Sequence, residues 1–430
     1  MQKTSIKEID QLVGQTVSLS GWAYNIRSSG NIYFLQLRDG TGEIQAVYDK
    51  TSSAEGVFDK LSKLTIESSV TVEGEVKIEK RSPSGYEIIG SNLDIIQLAE
   101  PYPIAKKAHG TDFLMDHRHL WLRSSRQRAI LKIRDGVIWA AREFFKKEDF
   151  ILTDSPILTP TACEGTTTLF KTDYFGEPAY LAQSGQLYIE ATAAALGRVY
   201  DFGPTFRAEK SKTRRHLMEF WMLDAEAAFT EHEENLKIQE ELISYIVKYI
   251  LDNNKTELKV LERDIGPLEK ITTPFHRQTY TDTIKNLVDR GFKIKFGDDL
   301  GSEEETAISE KLDKPIFITH WPKASKPFYM KQDPANEKLV LNSDLIAPEG
   351  FGEIIGGSQR EDDHDILKKN MEEAKIPIKD YQWYLDLRKY GSFPHSGFGL
   401  GIERTVAWIC GIKHIRETIP FPRLLNRLRP

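Results

Sequence analysis

The stretch FRAEKSKTRRHLMEFWMLDAE, from Phe206 to Glu226, has apolar-rich ends and a polar centre that carries two lysines and two arginines. This pattern predicts two strands joined by a basic loop. A charged loop between strands is most often simply solvated. Arg207 and Glu209, however, alternate along a predicted strand made otherwise of Phe and Ala, which would place two ionisable groups on one face, where an unpaired charge is costly. We therefore expect this pair to have a ligand.

A glycine run precedes another arginine near the end of the chain, in HSGFGLGIER from His395 to Arg404. A dinucleotide-binding fingerprint would open a βαβ unit and be followed by an acidic residue about 20 positions later. Here only a short apolar helix, TVAWIC, follows before the chain ends. The glycines therefore serve another purpose beside Arg404.

The N-terminal part of the chain, residues 15 to 98, contains five segments in which apolar and polar residues alternate, with a helical piece, EGVFDKLSKL, between the third and the fourth. Three strands, a helix and two strands is the element order of an OB-fold, a small barrel that often binds oligonucleotides. Tyr33 and Phe34 on the second strand, Gln45 on the third and Arg27 at the end of the first suit stacking on unpaired bases. The alternative is that the aromatic residues only fill the barrel.

The rest of the chain predicts an α+β domain. A proline-containing linker, AEPYPIAKKAHG, leads to an amphipathic helix over Arg123–Lys147, and a second long helix is predicted over Glu231–Asn253. The β-rich segments between and after these helices lack βαβ alternation, which favours an antiparallel sheet flanked by helices. We predict domains at 1–99 and 113–430, joined by a linker at 100–112.

Composition sets the broad class of the protein. The 430 residues are 40% hydrophobic and 28% charged, with a formal net charge of −6, as in an ordinary globular protein of two or three domains. No apolar run is long enough to cross a bilayer and the first residues lack a signal-peptide pattern, so we expect a cytoplasmic protein with no membrane segment. Cys163 and Cys410 are far apart and show no metal-ligand spacing, which favours buried free thiols.

These segments together resemble the class II aminoacyl-tRNA synthetases. Phe206–Glu226 is similar to their motif 2, GFGLGIER to their motif 3, and the helix over Arg123–Lys147 with the following strand around Pro156 to their motif 1. With the N-terminal OB-fold, the resemblance spans nearly the whole chain and is closest to the subgroup that charges asparagine, aspartate and lysine. It implies ATP and Mg²⁺ as co-substrate and cofactor, a tRNA partner and a homodimer built on motif 1.

The resemblance also implies roles for individual residues in binding ATP. Arg207 should hold the α-phosphate, Arg404 and the loop residues should hold the β- and γ-phosphates, and these two arginines are the expected catalytic residues. Phe220 should stack under the adenine, opposite Arg404. The full set of implied ATP-binding residues is Arg207, Glu209, Arg215, His216, Phe220, Glu353, Gly399, Gly401 and Arg404. Asp344 and Glu353 match the positions at which the family binds magnesium, and carboxylate oxygens are the ligands that Mg²⁺ prefers.

Within the subgroup, the residues favour the asparaginyl over the aspartyl members. Aspartyl members carry a lysine that holds the substrate side-chain carboxylate, whereas this chain has Ile189 at that position. Met330 also follows the asparaginyl pattern. Without the lysine, the desolvation of a second carboxylate would be largely uncompensated, so a neutral amide fits better. The implied amino-acid-binding residues are Gln183, Gln186, Asp224 and Arg360.

One position departs from the asparaginyl pattern. Asparaginyl members usually read Glu-Pro-Glu where this chain has Asp224, Ala225 and Glu226. We expect Asp224 still to accept a hydrogen bond from the substrate amide, directly or through a water.

The expected activity is therefore the ligation of L-asparagine to tRNA(Asn), with Arg27, Phe34 and Gln45 as anticodon-binding residues. The alternatives are an aspartyl-tRNA synthetase and a non-catalytic tRNA-binding paralogue. Asparagine and aspartate anticodons share their first two bases, so these three residues do not separate the first two possibilities.

Overall fold

The computed structural model describes residues 2–82, 84–105, 107–164, 169–211 and 213–430. The chain divides into two compact units, Met1–Thr111 and Asp112–Pro430. Among the described residues, no helix combines the length and the apolar character needed to cross a membrane.

The first unit is a closed β-barrel. Its elements in chain order are β1 Gln2–Lys3, β2 Thr16–Ser29, β3 Ile32–Arg38, β4 Glu43–Asp49, α1 Val57–Lys63, β5 Ser69–Ile78 and β6 Tyr86–Gln97. Strands β2, β3, β4, β6 and β5 pair in that order, and β5 pairs back with β2 to close the ring. The predicted OB-fold is thus confirmed, with β1 as a short additional strand parallel to β2.

Alternation along the strands builds the barrel interior. Val70, Val72 and Val76 on β5 point inward, as do Leu35 and Leu37 on β3, and all five are buried. Because side chains in a strand alternate between its two faces, the intervening positions on β3 remain on the outer surface.

The second unit combines helices with a large sheet. Its helices are α2 Thr111–Asp116, α3 Arg118–Trp121, α4 Ser125–Lys147, α5 Gln186–Leu196, α6 His232–Asn253, α7 Lys255–Val260, α8 Gly266–Glu269, α9 Tyr280–Asp289, α10 Ser302–Ser309, α11 His364–Glu373, α12 Ile378–Lys389 and α13 Ile402–Cys410. Its strands are β7 Ile151–Leu152, β8 Leu158–Thr159, β9 Lys171–Tyr174, β10 Glu177–Leu181, β11 Arg198–Phe206, β12 Glu219–Ala228, β13 His276–Thr279, β14 Ile316–Thr319, β15 Gln332–Asp333, β16 Asn336–Val340, β17 Asn342–Ala347, β18 Gly352–Gln359 and β19 His395–Gly401.

The main sheet has eight strands in the order β13-β14-β17-β18-β19-β12-β11-β7. Its central pairs are antiparallel, but the pairs at the two edges, β13 with β14 and β11 with β7, are parallel. The predicted antiparallel sheet flanked by helices is thus confirmed, with a parallel pair added at each edge. The edge pairs are parallel because a helical crossover separates the strands of each pair, and such a crossover returns the chain in the same direction.

Helices α4, α6 and α13 bury the sheet. The predicted stripe on α4, including Ile130, Ile133 and Val137, is fully buried in the largest apolar core. The helix begins two residues later than predicted because Ser124 caps it by accepting a hydrogen bond from the Gln127 backbone N–H.

The predicted hairpin forms, but its first strand is shorter than expected. Strand β11 ends at Phe206, so Arg207 and Glu209 lie just past it rather than within it. Arg207 N still donates to Met218 O at 3.0 Å, which holds the start of the loop against the beginning of β12.

Candidate active site

One cavity of about 550 Å³ in the second unit collects most of the predicted site residues. Strands β12, β18 and β19 form its floor, and the loop between β11 and β12, the start of α13 and residues 299–305 supply walls. The predicted residues that line it are Gln186, Arg207, Glu209, Arg215, His216, Phe220, Asp224, Asp344, Glu353, Arg360, Gly399, Gly401 and Arg404.

Two arginines from separate parts of the chain enter this cavity. Arg207 follows β11, and its guanidinium lies 5.5 Å from the Phe220 ring centroid. Burial alone would lower the pKa of Arg207, but the carboxylates of Glu164 and Glu353 outweigh burial, so the pKa lies above its ordinary value. Arg404, in the first turn of α13, donates from Nη1 to the backbone oxygen of Glu353 at 3.0 Å and to its Oε2 at 3.1 Å.

The glycines of β19 differ in what surrounds them. A Cβ on Gly399 would lie 2.3 Å from Met222 Cε and 2.6 Å from Asp224 Oδ1, so only glycine fits there without a shift. A Cβ on Gly401 would meet nothing closer than 3.8 Å. A side chain at position 399 would therefore displace Met222 and Asp224, whereas a Cβ at position 401 would make only ordinary van der Waals contacts.

The basic loop places Arg215 at the rim of the cavity. Arg215 contacts Glu305 and Thr306 of α10 and the backbone oxygen of Gly350, with Nη2 donating to Thr306 Oγ1 at 2.8 Å. Burial raises the pKa of Glu305 to about 7. Burial, assisted by the charge of Arg404, lowers the pKa of His216, so its imidazole is neutral near pH 7.

Two carboxylates converge on Gly356 in the floor of the cavity. A Cβ on Gly356 would lie 3.1 Å from Glu353 Oε1 and 3.9 Å from Asp344 Oδ1, so the missing side chain leaves room between two hard oxygen donors. Lys326 Nζ donates to Asp344 Oδ2 at 2.8 Å and lies 3.8 Å from the Trp321 ring centroid. Burial raises the pKa of Asp344 to about 6, against the lowering effect of Lys326. This pair of carboxylates suits a divalent cation.

Asp224 uses its two oxygens differently. Oδ2 accepts from Ser184 Oγ at 2.6 Å and from Gly185 N at 3.0 Å, whereas Oδ1 lies over Gly399. Burial raises the pKa of Asp224, and its bonds to Ser184 and Gly185 counteract that effect. One carboxylate oxygen is thus anchored, and the other is beside the cavity floor.

Arg360 lies at the same end of the cavity and is almost completely buried. Its Nη2 and Nε donate to Glu226 Oε2 at 2.9 and 3.1 Å, and its Nη1 donates to Ser358 Oγ at 2.8 Å. The Glu226 carboxylate fixes the guanidinium plane through this forked contact.

Two residues that the sequence links to amino-acid recognition, Gln183 and Ile189, are not among the described residues that line the cavity. Gln183 is buried and accepts a hydrogen bond from Glu164 N at 3.3 Å, but it is not among the described residues that line the cavity. Ile189 packs with Ala193 and Val199 in a small apolar cluster, also outside that lining. Of the predicted amino-acid-binding residues, Gln186, Asp224 and Arg360 are therefore the ones that line the cavity.

Sequence reasoning missed several charged residues of the cavity, among them Glu164, Glu305 and Lys326. The only local sequence signal for Lys326 as a cavity residue is its position directly before the PFYM segment. Glu305 belongs to an acidic run, SEEE, which is indistinguishable in sequence from a solvated helix start.

On the first unit, the predicted anticodon residues share the outer face of the barrel. The Arg27 guanidinium lies 4.5 Å from the Phe34 ring centroid, and Gln45 is half-buried on the neighbouring strand. Tyr33 instead packs edge-on against Phe58 at the barrel core. Tyr33 therefore packs against the barrel core, and Phe34 offers its ring on the outer face.

Comparison with known proteins agrees with both units. The family described as "tRNA synthetases class II (D, K and N)" matches residues 110–425, and "OB-fold nucleic acid binding domain" matches residues 17–96. The chain belongs to the class II tRNA synthetases of the D, K and N group. Within this family, its similarity to asparaginyl members extends over the full length.

Three relatives illustrate that similarity. The asparagine–tRNA ligase of Pelotomaculum thermopropionicum is 57% identical over 430 residues, covering 100% of both chains. That of Desulforamulus reducens is 56% identical with the same coverage. The crystal structure of asparaginyl-tRNA synthetase from Pyrococcus horikoshii complexed with asparaginyl-adenylate has a TM-score of 0.97 and 45% identity, again covering 100% of each chain.

Proposed function

We infer that this chain is an asparagine–tRNA ligase. It activates L-asparagine with ATP to asparaginyl-adenylate and pyrophosphate, and then transfers asparagine to the 3′ end of tRNA(Asn). The observation that carries this inference is the single cavity in which Arg207 and Arg404 lie together with an acid pair, while Asp224 and Arg360 occupy the other end.

The two arginines provide the charge that activation needs. The asparagine carboxylate must attack the α-phosphate of ATP, so two anions are brought together while negative charge grows on the departing pyrophosphate. Arg207 is positioned to bind the α-phosphate and Arg404 the outer phosphates, and each remains charged and can bind two oxygens at once. Catalysis then proceeds by positioning and charge stabilisation, with no side-chain nucleophile.

The remaining cavity residues complete the nucleotide site. We assign Phe220 to stack on the adenine, Gly399 and Gly401 to bring the strand backbone close to the adenosine, and Glu209 to the adenine or amino-acid end. Arg215 and His216 would bind the outer phosphates. Because Arg215 is held by Glu305 and Thr306, part of its contact with α10 must be exchanged for the phosphate contact.

Asp344 and Glu353 are the residues that would hold magnesium. A bound Mg²⁺ supplies positive charge to the phosphate oxygens. Until a cation binds, Lys326 and Arg404 neutralise the two carboxylates, since each contacts one of them directly. The oxygens that face Gly356 remain oriented toward the cation site.

Asparagine recognition follows from the anchored groups. Asp224 Oδ1 can accept from the substrate amide NH₂, and the Arg360 guanidinium can donate to the amide oxygen. Gln186 lies in the same wall, whereas Gln183 accepts a hydrogen bond from Glu164 N at 3.3 Å and is not among the described residues that line the cavity. A substrate carboxylate would face the charge of Asp224, which disfavours aspartate.

We also propose a homodimer built on the motif 1 elements. Helix α4 and the chain after it expose a group of large apolar residues: Trp139, Ile151, Leu152, Ile157 and Leu158. Exposed apolar groups of this kind are typical of interfaces. Sedimentation at micromolar concentration should report a dimer, and a monomer would contradict the proposal. Residence in the cytoplasm stays a prediction from the sequence.

ATP–pyrophosphate exchange tests the activity directly. The protein should catalyse ATP–pyrophosphate exchange in the presence of asparagine and much less in the presence of aspartate. Arg207→Ala and Arg404→Ala should each slow the exchange by roughly 10²–10³-fold. Arg27→Ala, which removes an arginine from the first unit, is the matched control and should leave exchange unchanged. Exchange at full speed in either cavity variant would contradict the proposed clamp. Exchange with aspartate alone, or no exchange by the unaltered protein, would favour the aspartyl or the non-catalytic alternative.

A further inference from the structure

A fully buried carboxylate, Glu190 on α5, lies behind the amino-acid end of the cavity. Five side chains from four parts of the chain surround it. They are Gln186 Nε2 at 3.1 Å, Tyr384 Oη at 2.7 Å, Arg388 Nη2 at 2.7 Å, His395 Nε2 at 3.1 Å and Arg360 Nε at 3.9 Å. Glu190 does not line the cavity, yet two of its neighbours, Gln186 and Arg360, do.

The charge of Glu190 is well compensated. Burial would raise its pKa, but the Arg388 guanidinium and the contact with His395 outweigh burial and hold the pKa below the ordinary value. Glu190 is therefore ionised near pH 7 and can only accept hydrogen bonds.

This chemistry fixes the orientation of the Gln186 amide. Because an ionised carboxylate has no proton to donate, Gln186 must present its NH₂ group to Glu190. The Gln186 carbonyl oxygen is then the part of the amide that is available to the cavity. A substrate group beside it must donate, as an amide NH₂ or an ammonium does and as a carboxylate does not.

The backbone of Gln186 ties this arrangement to Asp224. Gln186 N donates to Ser184 Oγ at 3.0 Å, and the same hydroxyl donates to Asp224 Oδ2 at 2.6 Å. On the other side, Glu190 and Glu226 both contact Arg360, so its guanidinium is held between two buried carboxylates. Glu190 therefore contacts both Gln186, which offers an acceptor to the cavity, and Arg360, which offers donors to it.

We propose that Glu190 is a positioning residue for amino-acid selectivity, which orients Gln186 as an acceptor and Arg360 as a donor toward the substrate. The proposal rests on the proposed asparagine activity. Without Glu190 as an obligate acceptor, the Gln186 amide can rotate and offer NH₂ to the cavity, and a substrate carboxylate is then no longer rejected at that point.

The test is Glu190→Gln, with exchange kinetics measured for asparagine and for aspartate. The KM for asparagine should rise about tenfold, the preference for asparagine over aspartate should fall about tenfold, and the KM for ATP should stay the same. Glu240→Gln is the matched control, because Glu240 is another buried carboxylate paired with an arginine, Arg277, and is not among the described residues lining the cavity. It should leave both KM values and the selectivity unchanged.

A second variant keeps the proposal testable if Glu190→Gln fails to fold. Gln186→Met removes the amide while Glu190 keeps its other partners, and it should lower selectivity to a similar extent. The double variant should lose less selectivity than the two single losses combined, because each single variant already removes the contact between Gln186 and Glu190. Unchanged selectivity in Gln186→Met, or additive losses in the double variant, would overturn the proposal. Failure of the proposed function would differ, since the unaltered protein would then not exchange with asparagine.

Discussion

At the scale of single residues, hydrogen bonds within the protein fix which atoms of a polar side chain face the cavity. Asp224 is the clearest case: Ser184 and Gly185 occupy Oδ2, and the geometry leaves Oδ1 over Gly399. Because Ser184 and Gly185 are donors, the side chain at position 224 must present an oxygen to them.

Asp224→Asn should therefore reverse the polarity at the cavity. The new carbonyl oxygen would take the bonds from Ser184 and Gly185, and the NH₂ group would face the substrate as a donor. The KM for asparagine in exchange should rise by about 10–100-fold, from the loss of one hydrogen bond to a charged group.

Asp201 provides the control for that change. It pairs with Asp224 across β11 and β12, and burial together with the charge of Asp224 raises its pKa to about 8. The Asp201 carboxyl is thus mostly protonated near pH 7, and Asn is close to it in shape and charge. Asp201→Asn should change the KM for asparagine little, and a large effect there with none in Asp224→Asn would contradict the assignment.

The acid pair predicts a pH dependence of cation binding. Burial raises the pKa of Asp344 to about 6, and an oxygen ligand must be deprotonated to bind a metal. Mn²⁺ affinity, measured by electron paramagnetic resonance without ATP, should be constant above about pH 7 and fall as the pH drops through about 6.

Lys326→Met should move that fall to higher pH, since the ammonium lowers the pKa of Asp344 in the intact protein. Lys293→Met, at a position outside the described lining of the cavity, is the matched control and should leave the profile unchanged. A profile that stays flat through pH 6 in the intact protein would argue against Asp344 as a ligand.

At the scale of elements, a buried ion pair joins two of the helices that pack on the sheet. Arg134 of α4 lies 2.7 Å from Glu403 of α13, and both side chains are at most 9% exposed. Glu403 also accepts a hydrogen bond from Trp221 N of β12 at 3.0 Å. The pair thus connects the motif 1 helix to the turn that carries Arg404.

Removing one partner of this pair should be strongly destabilising. Arg134→Met leaves the Glu403 carboxylate buried without its counter-charge, which should cost about 3–5 kcal/mol in urea unfolding. The double variant Arg134→Met/Glu403→Gln should recover much of that loss because no buried charge is left. Burial raises the pKa of Glu403, and Arg134 lowers it, so the single variant should lose less stability at low pH, where Glu403 is protonated. Equal losses in the single and double variants would contradict this account.

At the scale of the whole molecule, the proposed adenylate site and the proposed anticodon-binding residues lie in different units. The second unit contains the cavity that collects Arg207 and Arg404, and the first presents Phe34 and Arg27 on the outer face of a barrel. Because the Arg27 guanidinium stacks on the Phe34 ring, a nucleic-acid base can stack on the same ring in place of the guanidinium.

Phe34→Ala should weaken tRNA charging while leaving adenylate formation intact. Loss of one stacked base costs about 1–3 kcal/mol, so kcat/KM for tRNA should fall by roughly 10–100-fold, with unchanged ATP–pyrophosphate exchange. Tyr33→Phe is the control at the adjacent position, because its ring packs on Phe58 against the barrel core and both reactions should be unaffected. A parallel loss of exchange in Phe34→Ala would show that the effect is structural.

The sequence by itself determined the features that depend on neighbours in the chain. Period-2 alternation gave the barrel strands and the hairpin β11–β12, and the apolar stripe gave α4, since each element buries one face whatever its partner is. Motif similarity then brought Arg207 and Arg404 into one site, although they are far apart in the chain.

Only the tertiary structure decided which charges meet. Lys326 reaches Asp344, Glu305 holds Arg215, and Glu190 collects partners up to 205 residues away. Strand order, register and helix packing set these contacts, and they depend on every intervening element at once. A local pattern therefore shows that an ionisable side chain is present, but its partner, its pKa and the direction of its hydrogen bonds exist only after the sheet has formed.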